Sequence, residues 1–260
     1  MQLLSRYLGG LLLSGVSFGA AALPTIQSTE FFTDRWGPST AFPTLNGDYL
    51  HLSTVVASPD APAQVSATAT QGALIRPLNF FTGPIFAEKN YERYLTNTTL
   101  TGAWDLLVTD TSGSTTGTFA AIADPEFLPL LQNLQVTGLG TTPTISWAVP
   151  DLTGFDADAI RVRAVVAATG EQTFQSGLLP ITATSFAMPS GILQLGVGYQ
   201  FRILLQDGVD GRLENRSNTF SEVYAAAAPI PEPETYALML AGLAGFGAYA
   251  RWVRRRPTTV

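Results

Sequence analysis

Apolar and polar residues alternate along the second half of the chain at the spacing of short β-strands. Ile145, Trp147 and Val149 share one face of a strand predicted over residues 143–150, because successive side chains of a strand point to opposite sides. Further strands are predicted at 134–139, 160–165, 173–178, 185–188, 199–205 and 219–224. This succession of short strands predicts an antiparallel β-sandwich over residues 130–226.

Residues 193–201 of this segment read LQLGVGYQF. A Leu, a turn containing Gly and a Tyr before an alternating strand resemble the E–F corner of fibronectin type III domains. The resemblance implies that Tyr199 is buried and that its hydroxyl hydrogen-bonds to the backbone upstream. It also implies that Trp147 packs in the common core. The Pro usual in this corner is missing, so the resemblance extends to immunoglobulin-like sandwiches in general.

The first half of the chain also carries strand patterns, at 49–56 and 65–70 and in a hairpin over residues 100–122. Trp104, Leu106 and Val108 lie on one face of that hairpin. The hairpin resembles the closing strands of jelly-roll modules attached to secreted bacterial proteins. We therefore predict a jelly-roll or immunoglobulin-like sandwich over residues 23–124.

The joint between the two sandwiches is predicted at residues 124–129, which read DPEFLP, because paired prolines interrupt both strand and helix.

The N-terminal residues have the pattern of a secretory signal peptide. One positive charge, Arg6, precedes an apolar stretch over residues 7–18, and the small residues Ala20, Ala21 and Ala22 satisfy an A-x-A cleavage rule. We predict a signal peptide over residues 1–22.

The C-terminal residues combine an extended tripeptide, an apolar run and a basic end. Pro231, Glu232 and Pro233 precede residues 236–250, which carry no charge. Fifteen helical residues span roughly 22 Å, so the predicted transmembrane helix is extended over residues 236–253 to approach a hydrocarbon core of about 30 Å. The basic residues that would hold the C-terminus in the cytoplasm are Arg251, Arg254, Arg255 and Arg256.

The order of these three parts resembles the PEP-CTERM signal of Gram-negative bacteria. The resemblance implies that residues 229–260 are a sorting tail and that Pro231, Glu232 and Pro233 are recognised by an exosortase. It implies export, anchoring in the membrane before processing, and a final place at the cell surface or outside the cell. It also implies a link with extracellular polysaccharide or biofilm. Two alternatives are a permanent single-span anchor and a buried core helix.

The expected fold class is therefore all-β. Two consecutive antiparallel β-sandwiches are flanked by a signal peptide and a single C-terminal transmembrane helix. The chain has no cysteine, so no disulfide stabilises the exported part. Five of the 14 basic residues and two of the 20 acidic residues lie in the targeting segments, which leaves nine basic and 18 acidic residues and a charge of −9. Such a surface is unsuited to nucleic acid.

The sequence contains few residues of the types that catalyse reactions. His51 is the one histidine, and we expect it on the surface of a strand beside Tyr49 and Ser53. Outside the predicted signal peptide, where residues 15–19 read GVSFG, no Gly-x-Ser-x-Gly, phosphate-loop or His-Glu-x-x-His motif occurs. We expect no catalytic residue, no cofactor and no metal.

Two groups of carboxylates leave a calcium site or a glycosidase pair open as weaker alternatives. The first is Asp156 with Asp158. The second is Asp207, Asp210 and Glu214, which we predict in a polar loop and which form the calcium candidate. Both groups lie in predicted turns, where Asp is favoured for backbone reasons.

An aromatic group around Gly83 and Pro84 has two interpretations: a platform for carbohydrate, or part of the core of the first sandwich. Its members are Phe80, Phe81, Phe86, Tyr91 and Tyr94. The sequence thus predicts an exported, non-enzymatic surface or matrix protein whose partners are exosortase, the secretion machinery and the membrane. The alternatives are a polysaccharide-binding module and, third, a secreted hydrolase.

Overall fold

The computed structural model of the protein describes residues 22–81, 89–209, 212–227, 238–244, 246 and 251. In these residues the chain forms β-strands, a short 3-10 helix, Pro62–Gln64, and a helical segment at 238–244. The strands are β1 (Thr25–Trp36), β2 (Gly47–Ala57), β3 (Ser66–Gln71), β4 (Leu74–Phe81), β5 (Lys89–Leu95), β6 (Trp104–Asp110), β7 (Gly113–Phe119), β8 (Gln132–Thr137), β9 (Thr144–Ala148), β10 (Ala159–Val166), β11 (Gln172–Gln175), β12 (Leu179–Pro180), β13 (Ser185–Ala187), β14 (Gly198–Val209), β15 (Arg212–Phe220) and β16 (Tyr224–Ala225).

Most strands belong to one sheet that runs through both halves of the chain. Its order is β11-β10-β14-β15-β1-β2-β5-β4-β3-β6-β7, with β12 paired to β10 and β16 to β14. A second sheet has the order β13-β9-β8. The pairs within the described residues are antiparallel except β1 with β15, which is parallel and joins the two halves.

The first hydrophobic core is built by the alternation of β6. Trp104, Leu106 and Val108 are buried and the residues between them are not, as expected when one face of a strand packs against a core. They join Leu52 of β2 and Tyr91 of β5 in one cluster. Complete burial of each such side chain is worth about 1.5–3 kcal/mol, so the hairpin contributes much of the first core. Its resemblance to the closing strands of jelly-roll modules stays a prediction.

The second core lies between the small sheet and the strands β10 and β14. Trp147 of β9 packs with Val162 and Phe201 from the opposite sheet. Tyr199 is 2% exposed, and its hydroxyl accepts a hydrogen bond of 2.9 Å from the backbone N–H of Gln194. Gly196 turns the chain between them with a φ of 82°, a value that favours glycine. The predicted corner and the predicted place of Trp147 are confirmed.

The segment between the two cores has neither helix nor strand from residue 120 to residue 131, as the prolines predict. It is nevertheless fixed to β15. Asn215 donates to the carbonyl of Asp124 at 3.1 Å, and Ser217 donates to the carbonyl of Pro129 at 2.7 Å. The backbone N–H of Leu131 donates to Thr219 at 2.9 Å. The joint is therefore a bonded connection rather than a free linker.

The all-β class with two β-sandwiches is confirmed, with the parallel pair of β1 and β15 as the exception to the antiparallel arrangement. The boundaries 23–124 and 130–226 stay predictions. The expected polar loop before Thr219 is wrong, since β14 continues to Val209 and β15 begins at Arg212.

Parts of both targeting segments lie outside the described residues. Residues 1–21 of the predicted signal peptide are among them, so the signal peptide stays a prediction. In the C-terminal tail, residues 238–244 are helical and exposed. No helix among the residues that the structure describes has the length and apolar character needed to cross a membrane.

Candidate functional site

The junction of β1 and β15 presents a buried polar surface on the side opposite the hydrophobic cores. Phe31 of β1 points into the first core, whereas Asp34 lies on the other side beside Arg216 of β15. The side chains of this surface come from β1, β2, β5, β10, β14 and β15. We call it the polar face, and its members are Phe32, Asp34, Trp36, His51, Asn90, Glu92, Tyr94, Arg163, Arg202, Arg216 and Asn218.

An ion pair lies at the centre of the polar face. Arg216 donates from Nε to Asp34 Oδ1 at 3.0 Å and from Nη2 to Asp34 Oδ2 at 2.5 Å. Asp34 also accepts from Asn218 at 2.6 Å and from the indole of Trp36 at 2.8 Å. Burial acts to raise the pKa of Asp34, but the charge of Arg216 and the hydrogen bonds outweigh it and lower the pKa. The carboxylate is therefore held ionised.

His51 lies between two carboxylates on the polar face. Nδ1 is 3.5 Å from Asp34 Oδ2, and Nε2 is 3.3 Å from Glu92 Oε2. Arg216 Nη2, which can only donate, is 3.3 Å from Nδ1. Burial acts to lower the pKa of His51, but Glu92 and Asp34 raise it above its ordinary value. The expectation of a surface histidine is wrong: His51 is 3% exposed and belongs to a charged network.

Two further guanidinium groups lack a carboxylate partner within 4.0 Å among the described residues, Arg202 and Arg163. Arg202 donates to the neutral Oδ1 of Asn218 at 2.6 and 2.9 Å, and its guanidinium carbon lies 4.3 Å from the centre of the Trp36 ring. Burial and the charge of Arg216 lower the pKa of Arg202 to about 10.

A cavity of about 360 Å³ opens over this surface. Its floor is polar, with His51, Arg202 and Arg216. One wall comes from Arg163 of β10 and Gln172 of β11. Apolar contacts are supplied by Phe32, Phe42, Leu45, Val55 and Val165. The cavity is thus shared between strands of both halves of the chain.

The loop after β1 helps to close the cavity. Gln200 of β14 accepts hydrogen bonds from the Ser39 hydroxyl at 2.7 Å and from the Ala41 backbone at 3.0 Å. This anchor places Phe42 with its ring edge against Trp36, at 5.4 Å between centres. The cavity wall is therefore held by hydrogen bonds to the sheet.

The surroundings of His51 can be compared with those of a base that activates a nucleophile. Both nitrogens of His51 face carboxylates, and among the described residues no hydroxyl group is hydrogen-bonded to the ring. A nucleophilic mechanism requires a hydroxyl or thiol within reach of its base.

The predicted acidic groups come together at another place. Ligand oxygens of Asp156, Asp158 and Asp207 lie within 4.8 Å of one another, which unites the two groups proposed from the sequence. Asp207 and Glu214 lie in strands β14 and β15 and are buried, whereas Asp210 lies outside the described residues. Two of the carboxylates accept hydrogen bonds from the chain itself: Asn215 donates to Asp207 at 2.9 Å, and the Gly208 backbone to Asp158 at 3.1 Å.

The aromatic group proposed from the sequence is divided between the two sides of the sheet. Tyr91 packs in the first core, with Phe80 at 5.5 Å between ring centres. Tyr94 stacks on His51 at 4.2 Å and lines the cavity with Phe81. Phe86 lies outside the described residues. The core interpretation therefore holds for Tyr91, and the carbohydrate platform stays a prediction.

Comparison with known proteins identifies the C-terminal tail. Residues 229–256 match the family described as the PEP-CTERM protein-sorting motif. The chain carries a PEP-CTERM sorting motif. This confirms the family resemblance of the tail and marks the protein as a substrate of the exosortase pathway. The residues expected to act in it, Pro231, Glu232, Pro233, Arg254, Arg255 and Arg256, lie outside the described residues, whereas Arg251 is helical and exposed.

The remainder of the chain has weaker similarities. No curated protein matches the chain. Among solved structures, it is similar to domains A168–A170 of titin, with 11% identity over 80% of this chain and 67% of that one and a TM-score of 0.32. It is also similar to the spore cortex lytic enzyme SleM of Clostridium perfringens, with 17% identity over 35% of this chain and 27% of that one and a TM-score of 0.26.

Sequence patterns missed the polar face because its residues come from six strands distributed over the whole chain. One signal was present. Arg161 and Arg163 alternate with Ile160, Val162 and Ala164 in a strand whose apolar side fills a core. Arginines on the opposite side of such a strand either face solvent or pack against acidic groups from other strands. The local sequence does not determine which of these two environments they have.

Proposed function

We propose that the protein is an exported, non-enzymatic component of the cell surface or extracellular matrix. Its signal peptide directs export, and its C-terminal helix anchors it in the membrane until an exosortase acts at Pro231–Pro233. The observation that carries this proposal is the match of residues 229–256 to the PEP-CTERM sorting motif. We further propose that the released β-sandwiches serve in an exopolysaccharide or biofilm matrix.

The test is the mass of the protein produced by its native host. We expect the mature product to lack the residues that follow the Pro231–Glu234 region, and to be found in the extracellular or surface fraction. Changing Pro231 and Pro233 to Ala should block processing and leave the protein in the membrane, because insertion depends on the apolar span.

A matched control is Pro257→Ala, a proline change outside the matched residues, which should be processed normally. A product that still ends at Val260 in a host with an active exosortase would contradict the proposal. Processing of the Pro231/Pro233 variant at the wild-type rate would contradict the role given to these two prolines.

A binding role for the β-sandwich body is the second candidate function. The cavity over the polar face favours it, because the cavity is bounded by strands of both halves and contains Arg163 and Arg202, which have no carboxylate within 4.0 Å in the part of the chain that the structure describes. The contacts of His51 support binding over hydrolysis, since both ring nitrogens are directed at carboxylates.

A further inference from the structure

Arg163 is the cavity group whose charge is least compensated by the protein. Its Nε is buried and has no hydrogen-bond partner among the described residues, and no carboxylate there lies within 4.0 Å of its guanidinium. Burial, followed by the charge of Arg202, holds the pKa of Arg163 well below its usual range. Arg163 as a whole is half-buried, but a buried guanidinium nitrogen without a partner is costly, so the position is unfavourable unless something else pairs with it.

Apart from Glu30, which is exposed to solvent, the other charges of the cavity are already engaged. Arg216 is paired with Asp34, Glu92 faces His51, and Arg202 is held by Asn218 over the Trp36 ring. The amide nitrogen of Gln172, which is paired in register with Val165 and lines the same cavity as Arg163, is also buried without a partner among the described residues. Two donors on one wall therefore lack an acceptor.

The size and the other walls of the cavity limit what the acceptor is. The volume of about 360 Å³ lies in the lower part of the range of about 300–1,000 Å³ found for ligand pockets. Phe42, Leu45 and Val165 give it an apolar side. Ser28 and Glu30 line it and are exposed, so the cavity communicates with solvent.

We propose that this cavity binds a small carboxylate-bearing molecule of single-ring size, with the carboxylate on Arg163 and Gln172. The planar guanidinium matches a carboxylate with two hydrogen bonds. The amide of Gln172 adds a neutral donor, and the ring lies against Phe42, Leu45 and Val165. This proposal is independent of the sorting of the tail, because the lining residues belong to the β-sandwich body.

Calorimetric titration of the full-length chain tests the proposal with two acids and their neutral counterparts. Glucuronate is compared with glucose, and benzoate with benzyl alcohol, so that a sugar acid and an aromatic acid are distinguished. We expect one acid to bind about tenfold or more tightly than its neutral counterpart, because a hydrogen bond to a charged group is lost in the neutral molecule. Equal affinity within both pairs, or no binding of either acid, overturns the proposal.

Arg163→Gln is the diagnostic variant and Arg161→Gln its matched control. Both arginines lie on the same side of β10 and both have a buried Nε without a partner among the described residues, but Arg161 does not line this cavity. Arg163→Gln should weaken binding of the acid about tenfold or more, while Arg161→Gln leaves it unchanged. Equal effects of the two changes contradict the assignment.

Thermal melting without ligand provides a second measurement. Because Arg163 has no hydrogen-bond or carboxylate partner to lose among the described residues, Arg163→Gln should melt at the wild-type temperature or above it, and the acid should no longer raise that temperature. A lower melting temperature of the free variant would show that Arg163 supports the fold rather than a ligand, and would contradict the proposal.

Discussion

Tyr199 illustrates how one side chain fixes a turn of the second sandwich. Its ring is buried in the second core, and its hydroxyl accepts the backbone N–H of Gln194. Tyr199→Phe keeps the ring and removes the acceptor, so the N–H of Gln194 loses the partner of a half-buried hydrogen bond. We expect the free energy of unfolding to fall by about 0.5–1.5 kcal/mol, measured by denaturant titration. Tyr49→Phe is the control, because the Tyr49 hydroxyl bonds to Asn46 in an exposed turn, and it should cost less.

The buried ion pair of the polar face supplies a second prediction at this scale. Asp34→Asn preserves the shape of the side chain but leaves Arg216 buried without a counter-charge. Breaking a buried pair in this way costs about 3–5 kcal/mol, and equilibrium denaturation will measure it.

A second ion pair on the same strand serves as the control. Arg35 and Asp48 form a two-point contact of 2.7 and 3.0 Å, but their side chains are 31% and 38% exposed. Asp48→Asn should therefore cost only about 0–1 kcal/mol. Equal losses for Asp34→Asn and Asp48→Asn would show that the polar face is open to water.

Residue patterns predicted side chains that lie in a core better than those on the polar face. Trp147 and Tyr199 were predicted in their observed places because apolar alternation and a turn determine both locally. His51 was placed on the surface because its neighbours at alternate positions, Tyr49 and Ser53, are polar. The charged residues that surround His51 come from β1, β5 and β15, and no local sequence pattern shows that these strands lie together.

Strand β15 shows how an element was missed. Its residues 212–218 read RLENRSN, a composition typical of loops. They form a strand because each side has polar partners: Asn215 and Ser217 bond to the connection between the sandwiches, and Arg216 and Asn218 to Asp34. Polar residues are favourable in a buried strand when every group finds a partner, and such partners are not visible in the sequence.

The pairing of β14 with β15 predicts a pH dependence. Its register shifts between Asp207 and Gly208. Burial, together with the charges of Asp156 and Asp158, raises the pKa of Asp207 from 3.8 to about 6, despite the hydrogen bond from Asn215. The native state therefore keeps a proton that the unfolded chain has lost between pH 3.8 and about 6. Asp207 thus makes stability fall as the pH rises through this window.

Asp207→Asn should remove this contribution. Between pH 4 and pH 7 the variant should lose less stability than the wild type, as measured by urea denaturation at each pH. Asp156→Asn removes a negative charge that raises the pKa of Asp207. The fall in the free energy of unfolding should therefore occur at lower pH than in the wild type. If the free energies of unfolding of the wild type and Asp207→Asn differ by the same amount at every pH in this range, the raised pKa of Asp207 is contradicted.

At the scale of the whole molecule, the sequence predicted two sandwiches but not the sheet that unites them. Each core is built from strands close in sequence, and local alternation therefore found most of them. The parallel pair of β1 and β15 brings together residues 182 positions apart, such as Asp34 and Arg216. Nothing in either strand alone specifies that pairing, which creates the polar face and its cavity.

The continuous sheet predicts that the two sandwiches unfold together. The junction combines the β1–β15 ladder, the buried ion pair and the hydrogen bonds from β15 to the connecting segment, so unfolding of one half exposes charged groups of the other. Differential scanning calorimetry of the full-length chain should show one transition for the β-sandwich body. Leu52→Ala, which empties part of the first core at a cost of about 2–5 kcal/mol, and Tyr199→Phe in the second should each lower that same transition as a whole. If each variant instead lowers only one of two separable transitions, the sandwiches are thermodynamically independent and the junction contributes little to their stability.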